Sequence, residues 1–108
     1  MLRTAQQRKE LCRACPIAKA ADVIGDPCSL LVLRDLIDDP RRFGELDEAL
    51  GMSTRTLTKT LRRLEKQGLV KRRAIRSLPP RVEYSITPKG AALSPVIEAM
   101  RAYGKKYL

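Results

Sequence analysis

The chain of 108 residues has no histidine and no tryptophan, and its only aromatic residues are three tyrosines and one phenylalanine. Without histidine, the side chain that most often acts as a general base or as a pH sensor near neutrality is missing. So few aromatic rings argue against a large ligand cage and against the stacking platform used on single-stranded nucleic acid. We therefore expect neither an enzyme nor a protein that depends on a cofactor.

Long hydrophobic runs are missing as well. No stretch approaches the roughly 18 consecutive apolar residues of a membrane helix, and the N-terminal sequence MLRTAQQRKELCRACPIAKA has no apolar segment of signal-peptide type. We therefore expect a cytoplasmic protein without a membrane partner. Most thiols stay reduced in the cytosol, so the three cysteines do not indicate a disulfide framework.

Positive charge is abundant and concentrated in one place. The whole chain has 22 Lys and Arg against 12 Asp and Glu, a net charge of +10. Residues 52–81 alone hold ten Lys and Arg and one acidic residue. A local block of this density is the electrostatic footprint expected of a surface that binds a polyanion.

Two helices are marked by their ends. Pro16 and Gly25 delimit a first helix over residues 16–24, because proline suits the first helical position and glycine the position after the last. A second helix begins at Pro27 and continues to residue 38, with apolar residues on almost every face. This pattern predicts a central and largely buried helix.

Two further helices follow at close spacing. The first covers residues 45–50 and is terminated by Gly51, and the second covers residues 54–67 with Ser53 as its N-cap. Two helices joined by about three residues that include a glycine form the helix-turn-helix signature. We assign residues 43–67 to this motif.

The rest of the chain predicts a hairpin and a last helix. Residues 69–75 and 82–87 alternate apolar and polar side chains, as two strands joined by a turn would. Residues 88–108 have helical periodicity, with Pro95 expected to kink the helix. The predicted fold is α+β, mainly α: one winged helix-turn-helix domain over residues 1–108. It comprises an N-terminal arm (1–14), a two-stranded wing (69–87) and a terminal dimerisation helix (88–108).

The basic residues of the second helix suit duplex DNA. In winged helices this helix lies in the major groove, where each base pair presents a distinct pattern of donors and acceptors. If Leu57, Leu61 and Leu64 face the core, the polar face is turned toward solvent or DNA. The candidate DNA-binding residues are Arg42, Ser53, Thr54, Arg55, Thr56, Thr58, Lys59, Arg62, Arg73, Arg76 and Arg81.

Each of these residues also has a simpler interpretation. Arg55 could donate two hydrogen bonds to a guanine or contact only a phosphate. Ser53, Thr54 and Thr56 could instead cap the helix. Adjacent strand residues point to opposite faces, so at most one of Arg72 and Arg73 can face DNA. The hairpin arginines could merely protect a strand edge from aggregation.

The terminal helix has an apolar stripe that a monomer would expose. Its members are Leu93, Val96, Ile97, Met100 and Tyr103. Such a stripe favours a homodimer, which would bind an inverted repeat in DNA, although the helix could also pack on its own core.

The cysteine thiols are the only side chains whose reactivity suggests a regulatory signal. Cys15 precedes Pro16 at a helix start, where the helix dipole and nearby cations favour the thiolate form, so a redox switch competes with an inert thiol. Cys12 and Cys15 form a C-x-x-C pair, but a structural zinc usually needs four ligands and only Cys28 remains, so we expect no metal site. Cys28 lies in the apolar second helix and is expected to be a core residue.

Several motifs in this order closely resemble the HxlR-type regulators, relatives of the MarR winged helices. They are CPI at 15–17, Gly25 followed by LLVLRDL at 30–36, PRRFGEL at 40–46, LTKTLRRLE at 57–65, GLV at 68–70 and PPRVEYSIT at 79–87. The resemblance covers residues 15 to about 104. The family commonly has Lys-Trp where this chain has Pro27-Cys28, and Trp-Gly where it has Tyr103-Gly104.

This resemblance implies a bacterial or archaeal transcription factor that is dimeric through its terminal helices. Residues 53–63 would be the recognition helix and residues 72–81 the wing. Some relatives sense oxidants or electrophiles through a cysteine that matches Cys15. Two other functions stay open at this point: an architectural protein that binds nucleic acid without sequence preference, and a thiol redox enzyme that uses Cys12 and Cys15.

Overall fold

A computed structural model describes residue 7 and residues 13–108 of the chain. The four helices predicted up to residue 67 are all present, and each boundary agrees to within two residues. In chain order the elements are α1 (Pro16–Ile24), α2 (Pro27–Asp38), β1 (Arg41–Arg42), α3 (Phe43–Leu50), α4 (Thr54–Lys66), β2 (Val70–Ile75), β3 (Arg81–Ile86), α5 (Pro88–Ala91) and α6 (Ser94–Tyr107). Within the described ranges, none of the helices combines the length and apolar character needed to cross a membrane.

The sheet contains one strand more than the sequence predicted. The hairpin of β2 and β3 is confirmed, with antiparallel register from Val70 opposite Ile86 to Ile75 opposite Arg81. A third strand, β1, pairs with the other edge of β3, so the strand order is β1-β3-β2. With only two residues, β1 is too short to show the alternation by which strands are recognised.

The turn between α3 and α4 has the predicted geometry. Gly51 has a φ of 64° in the left-handed region, which glycine adopts without steric cost and which ends α3. Two residues later, Ser53 has extended backbone, and its side chain caps α4 by accepting the N–H of Thr56 at 3.1 Å. The helix-turn-helix is therefore built from the residues that the sequence assigned to it.

One buried apolar cluster holds the elements together. Leu57, Leu61 and Leu64 of α4 are fully buried, as the leucine spacing predicted. They pack with residues of α2, where Val32, Leu33 and Leu36 have almost no exposed surface. The remaining members are Leu69, in the turn before β2, and one residue from each of the other larger elements: Ile24, Leu46, Val70, Tyr84 and Ile97.

The terminal helix differs from the prediction. The expected single kinked helix is two helices, the short α5 and the longer α6, with the break at Ala92 and Leu93. Pro95 lies in the first turn of α6, where its missing N–H needs no intrahelical partner. The proline therefore begins a helix, and the prediction that it kinks one is wrong.

A polar contact ties α4 to the start of α2. Arg63 Nη2 lies 3.1 Å from Asp26 Oδ2 and also donates to the hydroxyl of the buried Ser29. Asp26 is the N-cap of α2 and accepts the N–H of Cys28 at 2.7 Å. This backbone hydrogen bond lowers the pKa of the Asp26 carboxyl below its ordinary value, partial burial opposes the shift, and Arg63 adds to the lowering.

Asp26 should therefore stabilise the fold in its charged form. We expect Asp26→Ala, which removes both the cap and the ion pair, to cost about 1–2 kcal/mol in the free energy of unfolding at pH 7. Asp26→Asn keeps an oxygen for the cap, and because the ion pair is partly exposed its loss should cost less than about 1 kcal/mol.

The pH dependence distinguishes charge from shape in this contact. A carboxyl whose pKa is lower in the folded chain stabilises it above the unfolded pKa, and this stabilisation disappears as the pH falls through the folded pKa. Urea unfolding should thus show the difference between wild type and Asp26→Asn closing as the pH falls below the ordinary pKa of an Asp carboxyl, about 4. A difference that persists in acid would mean that the charge of Asp26 is not its cause.

Candidate nucleic-acid interface

The hydroxyl groups at the start of α4 have partners within the protein. Ser53 Oγ donates to Thr56 Oγ1 at 2.9 Å, and Thr58 Oγ1 donates to the carbonyl oxygen of Thr54 at 2.8 Å. Thr54 Oγ1 donates to Asp47 of α3 at 3.4 Å. These bonds hold the helix start and link it to α3, which supports the capping interpretation of Ser53, whereas the Thr56 hydroxyl only accepts a bond from that cap. Thr54 and Thr58 keep free acceptor capacity; Ser53 and Thr54 are exposed, and Thr58 is half-buried.

The cations of α4 form a row on the exposed side of the helix. Arg55, Lys59 and Arg62 are exposed, at spacings of four and three residues, opposite the buried leucines. None of the three has a hydrogen bond or ion pair with any residue that the structure describes. The row is therefore a band of uncompensated positive charge on a helix that the core holds from behind.

A groove separates this row from the sheet. It has a volume of about 560 Å³ and is bordered by Thr58 and Arg62 of α4 and by Arg72 of β2. Phe43, Glu65, Val82 and Tyr84 complete its lining. Arg72 therefore lies on the same side of the molecule as the exposed row of α4, although the sequence had favoured Arg73.

Strand alternation explains this placement. Val70 is buried, so Arg72, two residues further along β2, lies on the same face of the sheet, and Arg73 lies on the opposite face. Arg73 is paired in register with Glu83 of β3, the one acidic residue between positions 66 and 97. The sequence shows that Val70 is apolar but not which sheet face borders α4, so it could not decide between Arg72 and its neighbour.

The remaining candidate arginines lie at the margins of this surface. Arg76 and Arg81 are exposed at the far end of the hairpin, where Ile75 and Arg81 form its last pair. Arg42 ends β1, donates its backbone N–H to Glu45 at 3.0 Å and holds its guanidinium 3.8 Å from the same carboxylate. Arg42 therefore has an internal acidic partner, unlike Arg76 and Arg81 within the described part of the chain.

The terminal stripe is divided between core and surface. Ile97, expected at a dimer interface, has 8% of its surface exposed and belongs to the core of its own chain, so that assignment is corrected. Leu93 also packs against this core. Val96, Met100 and Tyr103 are exposed, and Tyr107, which shares the helical spacing but was not among the predicted dimerisation residues, extends their row by one more turn.

Two of the cysteines lie at the starts of α1 and α2. Cys15 is the N-cap of α1 and Cys28 lies in the first turn of α2; both are free thiols and partly buried. Cys28 is not a member of the buried cluster, so its assignment to the core was wrong. Cys12 lies outside the described residues. Within those residues, no three Cys, Asp or Glu side chains are grouped so that they could hold a metal ion.

Known proteins share this arrangement. A family profile described as HxlR-like helix-turn-helix matches residues 23–108. An HTH-type transcriptional regulator of Synechocystis sp. is 45% identical over 95 residues, which cover 87% of this chain and 70% of that protein. The redox regulator HypR in its oxidised form has a TM-score of 0.82 at 35% identity, over 87% of this chain and 98% of that one. The reduced form of the transcriptional regulator YodB from Bacillus subtilis has a TM-score of 0.75 at 32% identity, over 86% and 93% of the two chains.

The two adjacent arginines of β2 offer a matched test of the interface. If Arg72 contacts a DNA phosphate, Arg72→Ala should weaken binding to any duplex and reduce the slope of log K against log salt by about one unit. Arg73→Ala removes the same charge from the opposite face and should change this slope less. Equal slopes for the two variants, or a larger change for Arg73→Ala, would contradict the placement of Arg72 on the DNA side.

Proposed function

Because this chain belongs to the HxlR-like helix-turn-helix family of transcriptional regulators, we propose that it acts in the cytoplasm as a homodimer that recognises a specific sequence in double-stranded DNA. The observation that carries the proposal is the exposed row of Arg55, Lys59 and Arg62. These cations have no acidic partner among the described residues and lie on a helix whose other side is fixed in the core.

The proposed binding mode places α4 in the major groove. The groove is about 12 Å wide and admits one helix. Arg55, in the first turn of α4, would reach the base edges, where its guanidinium can donate two hydrogen bonds to a guanine. Lys59, Arg62 and Arg72 would contact phosphates along the groove, and the arginines of the wing would reach the backbone beyond it.

The exposed stripe of α6 supports the homodimer. Val96, Met100, Tyr103 and Tyr107 recur at spacings of four, three and four residues, which places them on one side of the helix, and half of the Met100 surface is exposed. A two-fold axis would bring the same stripe of a second copy against it, since such an interface is self-complementary. Two recognition helices would then meet two half-sites related as an inverted repeat, about one helical turn apart.

A thiol response is the regulatory part of the proposal. HypR is described as a redox regulator and was solved in an oxidised form. In this chain Cys15 is a free thiol at the N-terminus of α1, where its side chain makes no capping hydrogen bond. Hydrogen peroxide would transfer one of its oxygen atoms to the sulfur of the Cys15 thiolate, which becomes sulfenic acid. The other oxygen atom would leave as hydroxide and be protonated to water. The added polar oxygen would disturb the start of α1, which packs on α2, and α2 in turn contacts α6. The disturbance would therefore reach the proposed dimer surface through α2.

Selection of bound duplexes from a random pool tests the function. At about 150 mM salt, where weak phosphate attraction is screened, the wild type should enrich one inverted repeat. Arg55→Ala should bind that site about tenfold or more weakly and lose the preference at one base position of each half-site. A single enriched half-site would contradict the dimer. Failure to enrich any sequence would favour an architectural protein without sequence preference.

A second measurement tests the thiol response on the selected duplex. Mild oxidation with hydrogen peroxide should weaken binding by the wild type, and a reductant should restore it, because sulfenic acid and disulfides are reversible products. Cys15→Ser should remove the response. Cys28 is also a free and partly buried thiol, so Cys28→Ser is the matched control, and this variant should keep the response. A response that survives in Cys15→Ser would show that another thiol is the sensor.

A further inference from the structure

The tip of the wing presents an almost fully exposed apolar side chain. Leu78 has 99% of its surface in solvent, and it lies in the loop that joins β2 to β3. Leucine is usually buried in a protein core, and here its whole side chain projects beyond the last pair of the hairpin, Ile75 and Arg81. Leu78 is therefore no part of the core of this chain, and its side chain is accessible to a partner.

The loop presents Leu78 in a restrained way. Ser77 Oγ donates to the carbonyl oxygen of Pro79 at 2.6 Å, across Leu78 itself. Two consecutive prolines follow, and the proline ring fixes the backbone φ at each. Ala74, Ile75 and Pro80 line a shallow depression beside the leucine. A restrained apolar tip loses less conformational entropy on insertion into a partner than a mobile one would.

The charges around the tip indicate what kind of partner covers it. Arg76 and Arg81 flank the loop and are exposed, and no acidic residue occurs from position 66 to position 82. A second wing of the same chain would bring like charges together. A duplex presents two phosphate strands on either side of an apolar-walled minor groove, so arginines could contact the strands while the leucine enters between them.

We infer that Leu78 is a wedge that enters the minor groove next to the recognition site, partly separates one base step and bends the duplex toward the major groove. The inference rests on the proposed function, because it requires the wing to lie on duplex DNA. The wedge would let the protein distinguish DNA sequences at base pairs that no side chain contacts by hydrogen bonds, because base steps differ in how easily they open. Pyrimidine–purine steps open most easily, so they would be preferred where the wing lands.

Fluorescence on labelled duplexes tests this inference. One set has a donor and an acceptor at its two ends, which report bending, and another has 2-aminopurine at each candidate step, which brightens when the step unstacks. Both the selected site and an arbitrary duplex at low salt are used, so the wedge is tested even if no preferred sequence exists. The variants are Leu78→Ala, Leu78→Met as the matched control that keeps a long apolar side chain, and Arg76→Ala.

Wild type and Leu78→Met should bend the duplex and brighten the probe at one step per wing. Leu78→Ala should reduce the bend by at least about 20° and abolish the brightening. Its affinity should fall by about tenfold, the scale expected when a leucine side chain is no longer buried. Arg76→Ala should weaken binding and reduce its salt dependence, but the 2-aminopurine fluorescence at the unstacked step should still increase on binding.

Two results would overturn the wedge. If Leu78→Ala binds, bends and brightens like the wild type, the wing acts through its arginines and Leu78 has no role on DNA, whatever the fate of the proposed function. If the wild type binds no duplex at any salt concentration, the wedge and the proposed function both fail.

Discussion

The leucine stripe of α4 is the constraint on which the rest of the structure depends. Leu57, Leu61 and Leu64 are buried against α2, which fixes both the position and the rotation of the helix. A helix held in this way must present its opposite side, and there the sequence places Arg55, Lys59 and Arg62. The same packing thus supplies much of the core of a small domain and orients these three cations, none of which forms an ion pair with a described residue.

Some arginines form ion pairs with acidic residues of the chain, and others have no such partner among the described residues. Asp26 binds Arg63 and links α4 to the N-terminus of α2, and Glu45 binds Arg42 next to β1. Glu83 stands between Arg42 and Arg73 in the register of the sheet. The cations left without an acidic partner in the described part of the chain include Arg55, Lys59, Arg62 and Arg72. Arg55, Lys59 and Arg62 lie on one side of α4, and Arg62 and Arg72 border the same groove. The positive electrostatic potential is therefore stronger at this surface than the net charge of the chain suggests.

Elements with strong periodicity or distinctive ends could be predicted from the sequence. The proline and glycine at the ends of α1, the Ser53 cap and the leucine spacing of α4 each reflect a local requirement, and the structure agrees with them. The strand β1 could not be predicted in this way, because two residues gain their pairing only from β3, which lies some forty positions later. The role of Arg63 was missed for the same reason, since Asp26 and Ser29 approach it only after α2 and α4 pack.

The two assignments that failed at α6 have a common cause. Periodicity identifies which residues share a helix face, but neither the break before Ser94 nor the angle at which α6 meets α2 can be read from it. That angle turns Ile97 inward and leaves Val96, Met100 and Tyr103 exposed. Ile97 and Leu93 pack in the core of their own chain, so only the other members of the stripe keep a surface that the proposed second copy could cover. Leu78 lies in the loop between β2 and β3 and the stripe lies on α6, so these two exposed apolar surfaces belong to different elements, and the proposals give them different partners.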